Sequence, residues 1–143
     1  MPISYHELAP AKLKDRRRLS GFLKEKIQEL KPEIKRSDIS FVFCDDAYLI
    51  EINRQFLDHD TYTDIITFDL SEDPQFLQSE IYISVERVAE NAAQFSKEYN
   101  QELHRVIFHG VLHLCGLKDK TVKEQKAMRS AEDSWLNTYF ATA

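Results

Sequence analysis

The stretch NQELHRVIFHGVLHLCGLKD (100–119) decides how the rest of the chain must fold. Val106, Ile107, Phe108, Val111, Leu112, Leu114 and Cys115 fall on nearly every side of a helix running from about Gln101 to Cys115. A helix that is apolar all round belongs in an interior, so the other elements must wrap around this one. Asn100 is placed to cap its start, and Glu102 in the first turn suits the positive end of the helix dipole. Gly116 supplies the residue of positive φ that ends a helix and reverses the chain.

The same stretch carries the chemistry. His109 and His113 are four residues apart, so their rings lie one above the other on one helix face. Asp119 follows three residues after Gly116, which gives the pattern H-x3-H-x2-G-x2-D. Imidazole nitrogen and carboxylate oxygen are both ligands of divalent metals, and three protein ligands leave a position open for water. A pair of His at this spacing is commonly an ordinary feature of a helix. Here it sits in an apolar wall, where an unsatisfied polar group costs about 1–3 kcal/mol, and a third ligand follows the glycine stop. The expectation is therefore one divalent metal per chain at the end of a central buried helix, held by His109, His113 and Asp119.

Gly110 occupies the position of the general-base Glu in the metalloprotease helix H-E-x-x-H. It takes no proton, so no catalytic side chain is assigned beyond the metal and the water it would activate. Cys115 lies on another helix face from His113 and reads as a small buried apolar residue.

The remaining sequence reads outward from this helix. Strands are expected at 2–8, 39–44, 64–70 and 80–85, with helices at 15–30, from Asp45 or Asp46 to about Leu57, at 87–100, and from a Thr121–Glu124 capping box onward. In the helix at 87–100, Val88, Ala92, Phe95 and Tyr99 form the apolar side. SEDPQ (71–75) is a turn that allows the last two strands to pair as a hairpin. The fold class is α+β: one domain spanning 1–143, with a mixed sheet of about four strands and about five helices.

Two cysteines, Cys44 and Cys115, do not make a disulfide framework, and the start MPISYHELAP has no signal pattern, which points to the cytoplasm. No apolar run approaches membrane-spanning length. The net charge of −5 argues against strong non-specific nucleic-acid binding but hides an asymmetry. Residues 1–36 carry ten Lys/Arg against five Asp/Glu, whereas residues 37–80 carry one basic residue against eleven acidic ones. KLKDRRR (12–18) and the cluster Lys118, Lys120, Lys123, Lys126 and Arg129 would track phosphates if folding joined them; otherwise they are solvated helix faces.

FHGVLHLCGLKD resembles the signature H-G-x-L-H-L-x-G-x-x-H of the YbeY family of bacterial metal-dependent endoribonucleases. EINRQFLDHDTYTDIITFDL (51–70) resembles a second block of that family, matching at Asn53, Phe56, Asp60, Thr63, Asp64 and Phe68. EIYISVERVAENA (80–92) resembles a third. The resemblance implies a cytoplasmic, single-strand-specific endoribonuclease acting in ribosomal RNA maturation, at the 3′ end of 16S rRNA, and in ribosome quality control. Its partners would be RNA and the ribosome or ribosomal proteins, with no DNA and no membrane, and its single metal would be foremost zinc, with Mn, Fe or Ni as alternatives.

Two departures stand out. Asp119 replaces the third ligand His, which adds negative charge and makes harder metals more competitive. Leu57 stands where the family has an Arg expected on RNA phosphate; Arg54 and His59 are the neighbouring substitutes, with Lys118 and Lys120 as further phosphate contacts. Asp64 reads either as acceptor for the second ring N–H of a ligand His or as a strand-entry residue satisfying local backbone. Tyr62 is a candidate for base stacking. The competing functions are a metallopeptidase-like hydrolase, against which Gly110 counts, and a non-catalytic ribosome-associated metalloprotein.

Overall fold

A computed structural model describes residues 2–57 and 63–141. The elements run β1 (Ile3–Glu7), α1 (Arg16–Leu30), β2 (Arg36–Cys44), α2 (Asp46–Leu57), β3 (Ile65–Asp69), β4 (Phe76–Ser84), α3 (Val85–Gln94), α4 (Tyr99–Leu114) and α5 (Val122–Ala141). The sheet order is β1-β2-β4-β3. β2 pairs in parallel with both β1 and β4, and β3 pairs antiparallel with β4. This is the expected mixed α+β architecture, including the β3–β4 hairpin.

Alternation along the strands sets the layers. Ile39, Phe41 and Phe43 of β2 and Leu77, Ile81 and Ile83 of β4 face one side, where they form the main core with α1, α4 and α5. The intervening residues face the other side, where Ile66, Phe68 and Tyr82 pack beneath Leu49 of α2. α4 is the central helix: Leu103, Val106, Ile107, Phe108, Val111 and Leu112 are all buried. Phe108 sits in an aromatic cluster with Phe22, Trp135 and Tyr139.

Several boundaries differ from those expected. β2 begins at Arg36 and β4 at Phe76, both earlier than their apolar runs. The Gln75 carbonyl accepts the amides of Lys35 and Arg36 and ties the two strand starts together before either becomes apolar. The helix expected over 87–100 starts at Val85, because Ser84 caps it through the Arg87 amide, and stops at Gln94. Ser96 has φ of 53°, and the Lys97 amide folds back onto the Ala92 carbonyl. Phe95 is thereby turned out of the core and is 57% exposed. α4 starts at Tyr99, two residues early, and the Asn100 carbonyl accepts from the His104 ring rather than its side chain capping the helix. Two caps do form as read: Asp45 accepts the Tyr48 amide, and Thr121 and Glu124 bond reciprocally.

Candidate active site

α4, α5 and the strand entry of β3 enclose a cavity of about 990 Å³. His109 and Asp119 lie in its wall with Asp64, Asn91, Glu102, Arg105 and Glu132. α4 presents His109 because its apolar faces are already committed to the sheet and to α5. The turn at Gly116, with φ of 103°, brings Asp119 back to the helix. His109 Nε2 then stands 3.3 Å from Asp119 Oδ2.

The other ring nitrogen is tied down. His109 Nδ1 lies 2.7 Å from Glu132 Oε2, so Nδ1 carries the proton and donates it to a carboxylate that is 5% exposed. The neutral ring therefore has its lone pair on Nε2, facing the lone pairs of Asp119. Two electron-pair donors at this separation share a proton or a cation between them. The distance is also close to the edge of a tetrahedron whose metal–ligand bonds are about 2.1 Å. His113 has the same polarity: its Nδ1 donates to the Leu117 carbonyl at 3.1 Å, leaving Nε2 free. A ring N–H given to a carboxylate or a backbone carbonyl is the usual support of a ligating His. His109 and Asp119 thus fit two positions in the shell of a divalent metal. His113 is exposed, one turn along the face from His109, and does not line the cavity. Among the described residues no three His, Cys, Asp or Glu side chains lie close enough to share one ion.

Glu132 was not visible as a site residue from motif spacing. A signal was nonetheless present: on α5 it falls on the buried stripe of Met128, Trp135, Leu136 and Tyr139. An acid on a core stripe needs a partner. Glu132 has two: His109 on Oε2, and Arg105, whose Nη1 reaches Oε1 at 2.8 Å while its Nη2 reaches Asp133 at 2.5 Å. The Glu132 carboxylate raises the His109 pKa against the opposing effect of burial, with Asp119 and Asp64 adding to the rise. Burial pushes the Asp64 carboxyl up, against the charge of His109. Burial likewise raises Glu102, with Arg105 and Arg129 opposing.

Asp64 shares the cavity with His109, but its carboxylate takes the Asn91 amide at 3.4 Å, and its backbone carbonyl accepts the Ser84 amide. Glu132 fills the ring-acceptor position for which Asp64 was a candidate. Of the phosphate candidates, Arg54 pairs with Glu51 on α2. Lys118 and Lys120 are exposed on either side of Asp119. None of the three lines the cavity, whereas Lys126 and Arg129 of the same basic cluster do. His59, Tyr62, Asp60 and the side chain of Leu57 lie outside the described residues. The stretch at 12–18 does not join the cavity cluster. Arg16 pairs with Glu7, and Arg18 bonds the Tyr139 carbonyl and lies over its ring. That places Arg18 ten residues along α5 from Arg129, about 15 Å at the rise of a helix.

Gly110 faces the sheet. A Cβ there would meet Ile65 Cδ1 at 2.9 Å and Ile81 Cδ1 at 3.2 Å. The position that holds the base in H-E-x-x-H here faces the core, so a side chain at 110 would point into Ile65 and Ile81 and not toward a substrate. Both cysteines are free and buried; burial pushes the Cys115 thiol up to about 11 and the Cys44 thiol up to about 12. Among the described residues no helix is long and apolar enough to cross a membrane.

Residues 7–140 match the family model described as endoribonuclease YbeY. A protein named endoribonuclease YbeY from Christiangramia forsetii is 58% identical over 96 residues, covering 67% of this chain and 66% of that relative. One of the same name from Cytophaga hutchinsonii is 51% identical over 100 residues, covering 70% of each. A solution structure of a Thermotoga maritima protein superposes with a TM-score of 0.62 at 30% identity, covering 99% of this chain and 91% of that one. With the resemblance of three sequence blocks now matched across nearly the whole chain, this protein belongs to the endoribonuclease YbeY family.

Proposed function

We propose that this chain is a metal-dependent endoribonuclease that hydrolyses phosphodiester bonds of single-stranded RNA at the cavity holding His109 and Asp119. One observation supports the reading above the others: His109 Nε2 is aimed at Asp119 while its Nδ1 is locked onto buried Glu132. That is a ligand atom fixed in tautomer and direction at the wall of an open cavity. His109, His113 and Asp119 would hold the ion, with zinc foremost. When bound, a divalent ion supplies Lewis-acid activation of a phosphoryl oxygen and acidifies a water. The chain's own groups do the rest. Glu132 orients His109, Arg105 holds Glu132 in place, and Lys126 and Arg129 face the cavity with positive charge for the RNA backbone. Lys118 and Lys120 extend that charge beyond Asp119.

The cellular role proposed is maturation of ribosomal RNA, at the 3′ end of 16S rRNA, together with ribosome quality control in the cytoplasm. The test is to load wild type and His113→Ala to matched metal content and to assay a structured RNA beside a panel of unstructured peptides. RNA cleavage that falls at least a hundredfold in the variant, with peptides untouched, supports the reading. Undiminished RNA cleavage by the variant removes His113 from the site.

A further inference from the structure

Phe95 is a large apolar side chain left 57% exposed at the mouth of the cavity that holds His109 and Asp119. Its exposure is enforced. α3 ends at Gln94, the Phe95 amide closes onto the Asn91 carbonyl, and Ser96 at positive φ turns the chain away before α4 begins. The ring therefore stands on a fixed turn. Its helix-mates Val88 and Ala92 are buried, so the apolar stripe of α3 runs out of the core and ends at the cavity rim. Lys126 and Arg129 line the same cavity from α5; among the described residues neither has a salt bridge within 4 Å, and the buried Glu102 is the acid that acts on Arg129. Aromatic faces and cations in one groove are the two elements from which single-strand sites are built. Bases stack on the ring irrespective of sequence, and the cations follow the backbone.

Resting on the RNA reading above, we propose that Phe95 is the stacking platform for a nucleobase of single-stranded RNA adjacent to the cleaved bond, with Lys126 and Arg129 contacting phosphates across the cavity. The nucleotide would lie over the α3 end, with its phosphate toward α5. No base edge is read by Phe95, so the site accepts all four bases and prefers purines, whose stacking face is larger.

The experiment measures binding of a fluorescein-labelled 12-nucleotide oligoadenylate RNA by anisotropy, on the full chain, for wild type and the Phe95→Ala, Phe95→Leu and Phe95→Trp variants. The side chain is exposed, so the variants are expected to fold as wild type does. Phe95→Ala is expected to weaken binding about 5- to 150-fold, the range that base–aromatic stacking spans. Phe95→Trp retains it, and Phe95→Leu loses most of it, which separates stacking from plain apolar packing. The dependence of log Kd on log salt keeps its slope in Phe95→Ala and becomes shallower by about 0.7 in Lys126→Ala or Arg129→Ala, the change for one phosphate contact on a single strand. An abasic ribose-phosphate 12-mer binds wild type and Phe95→Ala alike. Wild-type binding with an unaffected Phe95→Ala variant overturns the stacking assignment and leaves the RNA reading standing. No binding by wild type removes both.

Discussion

Glu132 holds His109 and Arg105 with opposite oxygens of one buried carboxylate, at 2.7 Å and 2.8 Å. The arrangement links the core of α5 to the functional face of α4. Removing the carboxylate leaves a guanidinium that retains only the more exposed Asp133, and a ring N–H with nothing to accept it. Breaking a buried pair from one side costs about 3–5 kcal/mol. Glu132→Ala is therefore expected to lower unfolding stability by about 3 kcal/mol in urea titrations, and to weaken zinc binding about 10- to 100-fold. Glu132→Gln keeps one acceptor for the ring but offers amide hydrogens to Arg105, so it falls between. Urea midpoints and zinc affinities equal to wild type in both variants would show that His109 does not depend on this carboxylate.

That relationship also marks where sequence stops being informative. The order of elements, the hairpin of β3 and β4 and the buried character of α4 follow from periodicity, because each depends on residues close in the chain. The Thr121–Glu124 and Asp45 caps follow for the same reason. Glu132 lies 23 residues from His109, and no spacing rule connects them. Only its place on the buried stripe of α5 announces it. Phe95 misleads in the opposite way. It fits the helical period of Val88 and Ala92, but the positive φ at Ser96 overrides the period and turns the ring outward. At the candidate ligand positions, the structure brings His109 within 3.3 Å of Asp119, two residues that the spacing H-x3-H-x2-G-x2-D groups in the sequence. It keeps His113 on the expected face, outside the cavity wall.

Gly110 is held to glycine by the sheet beneath it. Alanine gains about 1 kcal/mol in helix propensity, but its Cβ would press on Ile65 Cδ1 and Ile81 Cδ1. Overpacking of this kind costs about 1–3 kcal/mol, so Gly110→Ala is expected to be destabilising by about 1 kcal/mol net. Ile65→Val removes the atom in closest approach. The double variant should be more stable than the sum of the two single changes predicts, by about 1 kcal/mol in a double-mutant cycle. Strict additivity in chemical denaturation would place the constraint elsewhere.

His104 is buried to 2% exposure among Phe108, Tyr139 and Phe140. Its Nδ1 donates to the Asn100 carbonyl, and its Nε2 has no partner among the described residues. Burial lowers its pKa, the nearby Arg18 charge adds to the lowering, and the Asn100 bond and Asp15 oppose it. Between that lowered value and about 6.5, the unfolded chain binds a proton that the folded chain refuses. Stability is therefore complete above about pH 6.5 and declines as pH falls toward the folded value. His104→Phe removes the titrating group and should flatten the fall in Tm between pH 7.5 and pH 5. Parallel Tm–pH curves for the two proteins would show that His104 does not titrate differently on folding.

Asp119 is where the sequence departs from the signature that it resembles, and two substitutions there separate its possible roles. If it is the third ligand, Asp119→Ala leaves two His, and the ion loses both a bond and a compensating negative charge. Protein purified without chelator should then carry less than a tenth of the wild-type metal by elemental analysis. Asp119→His restores the residue of the signature and, on the proposed site, should retain full stoichiometry. It also removes a carboxylate, which favours zinc over manganese when the two compete for the site. The competition is measured by loading each protein from an equimolar mixture and comparing bound ratios. A structural role for Asp119, bracing His109 through their 3.3 Å contact, gives a different outcome. Both variants would then lower Tm while holding wild-type metal, and the third ligand would have to be sought among the other acids of the cavity.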